Sequence, residues 1–328
     1  MAESVRELRL WEALNEALAE ELRRDERVFL MGEDVGLFGG TFRVTEGLMA
    51  EFGARRVRDT PIAEAGIVGL AVGAAMAGLR PVPELMTMNF AMVAMDQIVN
   101  HAAKSRYKFG GQMNLPITIR APGGGGTQKG AQHSHSIESW FVNVPGIRVV
   151  IPSTPSDAKG LLKTAIRSDD VVLFVEHEML YATKGPVPEG EHLVPFGAAD
   201  VKRAGGDVTI VAWSKMAIEA LRAAEKLAAE GIEAEVLDPR TLDPFDWDAL
   251  YASVAKTRRC VVAEEGWRTV GVGAEIAARV QERLFYELHA PVRRVAAVDV
   301  PTPYARNLEK LALPDAEAIT AAALEICT

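Results

Sequence analysis

The chain has 328 residues, 48% hydrophobic and 25% charged, which suits a globular protein with room for two domains. Its 45 acidic against 36 basic residues leave a net charge of -9 with no compensating Lys/Arg cluster, which argues against a nucleic-acid surface, and two cysteines, Cys260 and Cys327, cannot build a disulfide framework or a cysteine metal site. The first residues lack the apolar core of a signal peptide, and the longest apolar run, 67–79, is too short and glycine-rich to cross a bilayer, so a cytoplasmic protein is expected.

In chain order, Ser4 and Glu7 stand at capping-box spacing, and Trp11, Leu14, Leu18 and Leu22 recur with helical period. A short strand over 28–31 ends in Gly32-Glu33-Asp34-Val35-Gly36, where Glu33-Asp34 could be an acid pair or metal ligands but reads more simply as a strand-end turn capped by Asp34. Residues 38–45, with Gly39-Gly40, read as a loop, 47–52 as a short helix, and Val57 opens the next strand. A buried strand over 82–88 ends at Asn89-Phe90, and 92–104 is helical with Asp96, Asn100 and Lys104 on one line. Strand 116–120 leads into Gly123-Gly124-Gly125-Gly126, then Gln132-His133-Ser134-His135-Ser136. Strand 147–151, helix 155–167 and strand 171–176 complete the first half. Strands alternating with helices imply a parallel sheet covered on both faces, with ligands beyond the carboxyl ends of its strands. The Pro- and Gly-rich stretch 184–190 reads as a linker. A second alternating unit follows: strands 208–213, 234–237, 260–263 and 292–298, helices 217–230, 247–256 and 273–288, with Gly231 as a helix stop. It shows no comparable group of His, Glu and Gly after strands, and Glu264-Glu265-Gly266 reads as a turn. The expected division is 1–185, a linker 186–196, and 197–328.

Asp59-Thr60-Pro61-Ile62-Ala63-Glu64-Ala65-Gly66 organises the first half. Pro61 stops any helix and biases Thr60 to extended backbone, so the stretch is strand end, then turn. Glu64 then opens an apolar helix in which Gly69, Gly73 and Ala77 share one face and permit close approach of another backbone. Two readings stay open on pattern: a first-turn acid favoured by the helix dipole, or a carboxylate in an apolar wall whose protonation is set by burial and a partner. The glycines 123–126 read as a close-approach loop before a phosphate cradle, since neither a P-loop ending nor a dinucleotide fingerprint is present. His133 and His135 lack a third ligand for zinc, so a proton-handling or hydrogen-bonded role fits them better. Glu64, Phe90 and the 123–135 loop all follow strands and are expected at one rim.

Gly32-Glu33-Asp34-Val35-Gly36, Val44-Thr45-Glu46-Gly47-Leu48, Asp59-Thr60-Pro61-Ile62-Ala63-Glu64, Gly78-Leu79-Arg80-Pro81, Asp96-Gln97-Ile98, Ala131-Gln132-His133-Ser134, Asp157-Ala158-Lys159-Gly160-Leu161-Leu162 and Asp299-Val300-Pro301-Thr302-Pro303-Tyr304 occur together. With them the chain resembles, over essentially its whole length, the β subunit of the thiamine-diphosphate-dependent decarboxylating component of 2-oxo acid dehydrogenase complexes. The resemblance implies an α/β thiamine-diphosphate-binding fold, with a pyrimidine module followed by a smaller domain like the transketolase C-terminal one. It implies that Glu64 hydrogen-bonds the aminopyrimidine of thiamine diphosphate, that Phe90 packs on that ring and Ile62 lines its pocket, and that His133 assists proton transfer during decarboxylation or lipoyl acylation. Ala77 and Val93 stand where relatives carry Gln. A potassium ion is implied at Ile117, Ala165, Ile166, Ser168 and Asp170, with Ser168 where an acid is common. The Gly-Asp-Gly…Asn motif that holds diphosphate and Mg2+ is absent, so an α subunit is expected to supply that half in an assembly of two α and two β chains. The Gly69/Gly73 face is expected at a subunit contact, and the second domain at the β–β contact and the lipoyl-bearing acyltransferase core. Asn89-Phe90-Ala91-Met92 and the 300–304 segment favour pyruvate over branched-chain 2-oxo acids or acetoin. A non-catalytic scaffold and a nucleotide-binding oxidoreductase are the competing classes.

Overall fold

The computed structural model describes residues 5–327, so Ser4 lies outside the described residues. The chain divides into two compact units, one of residues up to Gly123 with Trp140–Phe196, the other of Gly124–Ser139 with Gly197 onward.

The first unit opens with strand β1 (Val5–Arg9) and helix α1 (Leu10–Arg24). Glu7 is therefore in a strand, and the capping carboxylate comes later, where Glu12 accepts from the Arg9 backbone N–H at 2.7 Å. The correction has a non-local cause: β1 pairs antiparallel with β8 (Lys184–Pro188), part of the stretch expected to be a linker. Between them run β2 (Val28–Gly32), α2 (Leu48–Phe52), β3 (Val57–Asp59), α3 (Glu64–Met76), β4 (Arg80–Glu84), α4 (Ala103–Lys108), β5 (Thr118–Gly123), α5 (Glu138–Val142), β6 (Ile147–Val150), α6 (Pro155–Arg167) and β7 (Val171–His177). Helix α6 shows how local signals set an element: Pro155 occupies the first turn, and the Thr154 hydroxyl accepts from Asp157 N–H at 3.2 Å. The strand expected to reach Met88 ends at Glu84, and Met88–Met92 winds as a 3-10 turn capped by Thr87. The expected helix after it begins with a π-turn over Gln97–Ala102, in which Asn100 donates to Asp96 at 2.8 Å. The strands run in the order β6-β7-β5-β4-β2-β3, and every pair is parallel, as the alternation of strands and helices implies.

The second unit holds β9 (Asp200–Arg203), β10 (Val208–Ala212), α7 (Lys215–Ala229), β11 (Ala234–Asp238), β12 (Thr241–Asp243), α8 (Trp247–Thr257), β13 (Cys260–Trp267), α9 (Val272–Leu284), β14 (Arg293–Ala297), α10 (Arg306–Ala312) and α11 (Ala316–Cys327). Its sheet runs β14-β13-β10-β11-β9, parallel except for the edge strand β9. Val208, Ile210, Val236, Val261, Leu227 and Ile319 lie in its core. Gly231 takes φ +81 just past α7, the left-handed stop that glycine allows. The expected turn at Glu264-Glu265 is instead the end of β13, where the register against β14 shifts between Ala263 and Trp267. Such a bulge re-aims side chains, and both acids become buried. Burial pushes the Cys260 thiol up to about 12, so it stays protonated and inert. Among the described residues no helix is long and apolar enough to cross a membrane.

Candidate functional site

In the first unit, β3, β2 and β4 are adjacent and in parallel register, with Gly32 opposite both Asp59 and Glu84. Their carboxyl ends therefore share one edge, where an open α/β sheet offers a ligand crevice. Three acids stand there: Glu33 just past β2, Glu64 after β3, and Glu84 closing β4. The connection after β3 is pinned by Asp59, whose carboxylate accepts from Gly36 N–H at 2.6 Å and Leu37 N–H at 3.1 Å. A Cβ on Gly36 would meet that carboxylate at 2.7 Å, so only glycine fits. Pro61 keeps the chain out of the helix until Ala63, and α3 then begins with Glu64 itself. Glu64 is only 5% exposed, and its carboxylate accepts no hydrogen bond from the described residues. Both sequence readings describe its position, since it occupies the first turn and is also buried.

By sequence Glu33-Asp34 reads as an acid pair or, more simply, as a strand-end turn capped by Asp34, and Glu33 proves to face the site edge. It is buried, and its Oε1 has no partner. Burial raises its carboxyl above the usual range, and the nearby charges of Glu64, Asp34 and Glu84 push the same way. Further along the edge, β5 lies beside β4 with Arg120 opposite Glu84. The Arg120 guanidinium holds Glu176 of β7 by two bonds of 2.7 Å and bonds Glu84 with its third nitrogen. Tyr181 donates to Glu176 at 2.6 Å. All four side chains are buried. Burial raises the Glu84 carboxyl although Arg120 opposes it, and the Tyr181 phenol is held well above its ordinary value. This group was also missed; its only sequence signal is a charged residue inside each of three apolar strands.

The other expected residues of this unit are placed as follows. Ile62 is 80% exposed in the turn before α3, and Phe90 is half-buried in the 3-10 turn. Its neighbour Asn89 is buried with Nδ2 unpartnered. Of the potassium set, Ala165 and Ile166 end α6, where unsatisfied carbonyls and the helix dipole favour a positive charge. Arg80 Nη1 already donates to the carbonyls of Ile166 at 3.1 Å and Ser168 at 2.8 Å. The Ile117 carbonyl accepts from Val172, and the Asp170 carboxylate binds Arg106 and Arg148. Each carbonyl keeps a second lone pair, so these residues fit an ion only as a share with Arg80.

His133 lies on the glycine loop, in the second unit. The loop is also a close-approach loop, as its glycines imply: Gly125 N–H donates to Glu265 Oε1 at 2.7 Å, and Gly126 N–H to Glu309 Oε1 at 3.0 Å. His133 is half-buried, with its backbone N–H donating to the Gly130 carbonyl. His135 packs on the Trp267 ring at 5.3 Å, with its Nδ1 buried and unpartnered. Burial lowers its imidazole below the ordinary value, so it is neutral at physiological pH. Ala131, His135, Trp267, Thr269, Asp299, Val300 and Pro301 line a cavity of about 660 Å³. Among the described residues no cluster of three or more His, Cys, Asp or Glu is placed to hold a metal.

A model of the transketolase pyrimidine-binding domain matches residues 6–184, and one of the transketolase C-terminal domain matches 197–319. The chain is 50% identical over 330 residues to the mitochondrial pyruvate dehydrogenase E1 component subunit beta-1 of Arabidopsis thaliana, covering 99% of this chain and 91% of that one. It is 48% identical to the pyruvate dehydrogenase E1 component subunit beta of Rickettsia felis, covering 96% and 97%. Among solved structures it is similar to a split-gene transketolase described as an inactive beta4 tetramer, with a TM-score of 0.79 at 26% identity and 97% coverage of both chains. Together with the two-unit α/β architecture and the acids along the carboxyl edge, these matches show that the chain belongs to the family of pyruvate dehydrogenase E1 component β subunits.

Proposed function

We propose that this chain is the β half of a thiamine-diphosphate-dependent pyruvate dehydrogenase, active in the cytoplasm only with an α subunit that holds the diphosphate and Mg2+. The observation that carries the reading is Glu64: a buried carboxylate with free acceptor capacity, at the start of a helix that follows a parallel strand. When bound, thiamine diphosphate supplies the carbanion chemistry that releases carbon dioxide from a 2-oxo acid. Glu64 would hydrogen-bond the far ring nitrogen of its aminopyrimidine, and the low-dielectric wall would strengthen that bond. The buried Oε1 of Glu33 and Nδ2 of Asn89, without hydrogen-bond partners in the chain's described residues, suit a polar ligand at this edge. Phe90 and Ile62 would bound the aminopyrimidine ring. His133 handles the proton of decarboxylation or of acyl transfer to a lipoyl group on the acyltransferase core. Potassium shared with Arg80 at the end of α6 belongs to the same proposal.

Assembly of two α and two β chains is supported by α3. The helix is apolar all round, yet Gly66, Leu70, Gly73 and Met76 are exposed, and a wholly apolar helix is stable when covered. The test is Glu64→Gln in the reconstituted α/β pair. Gln cannot pass a proton, so pyruvate decarboxylation should fall by about a hundredfold or more. Near-normal turnover would end the proposal, and comparing pyruvate with branched-chain 2-oxo acids and acetoin fixes the substrate.

A further inference from the structure

The N–H groups of Gly125, Gly126 and Gln128 point outward from a loop in which Gly124 and Gly126 adopt φ +94 and +100, as in an anion nest. The second unit fills that nest itself. Glu265, on the bulged end of β13, accepts from Gly125 N–H at 2.7 Å and from the Ser136 hydroxyl at 2.8 Å, and Lys215 neutralises its other oxygen at 2.9 Å. Glu309, on α10, accepts from Gly126 N–H at 3.0 Å and from Gln128 N–H at 3.1 and 3.2 Å. The two carboxylates are 6% and 2% exposed. Leu313 closes over the same loop, since a Cβ on Gly125 would meet its Cδ1 at 2.7 Å.

We propose that Glu265 and Glu309 are positioning residues for His133. One carboxylate from β13 and one from α10 fix the conformation of the 124–136 loop, and His133 takes its place from that loop. A glycine-rich stretch with several left-handed residues has a large conformational choice, and charge-assisted bonds to the amides of Gly125, Gly126 and Gln128 remove it. The second bond set, from Ser136 to Glu265, ties the far end of the loop past His133, so the histidine is held from both sides. The proposal rests on the reading of His133 as the group that handles a proton during catalysis.

The test uses the assembled α/β protein. In Glu309→Ala, amide hydrogen exchange in peptides spanning 124–130 should quicken by about tenfold or more, the size implied by losing hydrogen bonds to a charged group, while peptides from β10 stay unchanged. Acyl transfer to a lipoyl domain should fall between about tenfold and a hundredfold, as for a displaced catalytic group, with the affinity for thiamine diphosphate unchanged. If Glu309→Ala lowers the yield of folded protein, Glu309→Gln serves: its amide oxygen still accepts from Gly126, and exchange should quicken at Gln128 first. His133→Ala run alongside separates the two claims. Unchanged acyl transfer in that variant overturns the reading of His133 and the proposal with it. A normal His133 effect with unchanged loop exchange in Glu309→Ala overturns the anchoring alone.

Discussion

Removing the Arg120 guanidinium tests whether the buried charges along the strand ends form one unit. Arg120 and Glu176 are almost wholly buried, Glu84 nearly so, and one cation serves both carboxylates. Arg120→Met keeps the volume and leaves two buried acids without a counter-charge. Breaking a buried pair by removing one partner costs about 3–5 kcal/mol. For a unit of this size each kcal/mol moves the unfolding midpoint by about 2–4 °C, so a drop of about 6–20 °C is expected near pH 8. Glu84 is already raised by burial and by Glu176, with Arg120 opposing. Without Arg120 the Glu84 carboxyl rises further, and its protonated form becomes the folded one. An acid with a raised folded value stabilises below its unfolded value and loses that contribution as pH rises through the folded one, so the variant should recover stability between pH 8 and 6 more than the parent does. Changing Glu84 and Glu176 to Gln in the same chain should restore most of the loss, because replacing a whole buried ion set is often neutral. Thermal unfolding followed by circular dichroism from pH 6 to 8 reads all three outcomes. A midpoint within about 2 °C of the parent, or a loss that ignores pH, would refute the account.

Gly73→Ala separates the chain from its assembly. A Cβ at Gly73 meets nothing within 4 Å, so the substitution should stabilise the isolated chain by up to about 1 kcal/mol through helix propensity. If a partner backbone packs on that face, the same methyl should weaken the α/β assembly in analytical ultracentrifugation; unchanged assembly would remove α3 from the interface. Glu264 gives a second pH test. Burial pushes its carboxyl from the usual value near 4.5 up to about 7, although Gly273 N–H and Arg294 oppose the rise. Its contribution is complete below about 4.5 and declines as pH rises through 7, a cost of about 3 kcal/mol in full. Glu264→Gln should therefore be more stable than the parent at pH 8 and indistinguishable from it near pH 5, by urea unfolding; equal stability at pH 8 would contradict the buried carboxylate.

The residues that sequence made legible are those whose partners are near in the chain. Thr154, Pro155 and Asp157 announce the start of α6 within four residues, and its bounds follow. Glu64 could be placed at the start of α3 because Pro61 and the apolar run lie beside it. The readings that failed all depended on distant groups. β1 is a strand because β8 lies beside it from far along the chain. Glu264 and Glu265 read as a turn because two acids before a glycine are solvated when nothing else is known. They are buried because Gly273, Arg294, Gly125, Ser136 and Lys215 meet them from other segments. Glu33, Glu84, Arg120 and Glu176 fall under the same rule. A charge inside or just after a run such as Val28-Phe29-Leu30-Met31 cannot remain unpartnered in a sheet covered on both faces. Its presence there therefore implies a counter-charge, a donor set or a ligand. For Arg120, Glu84 and Glu176 the structure supplies the counter-charge, and for Glu265 and Glu309 it supplies the donors. Among the described residues Glu33 Oε1 finds no hydrogen-bond partner, and that is the physical reason the site is sought at this end of the sheet.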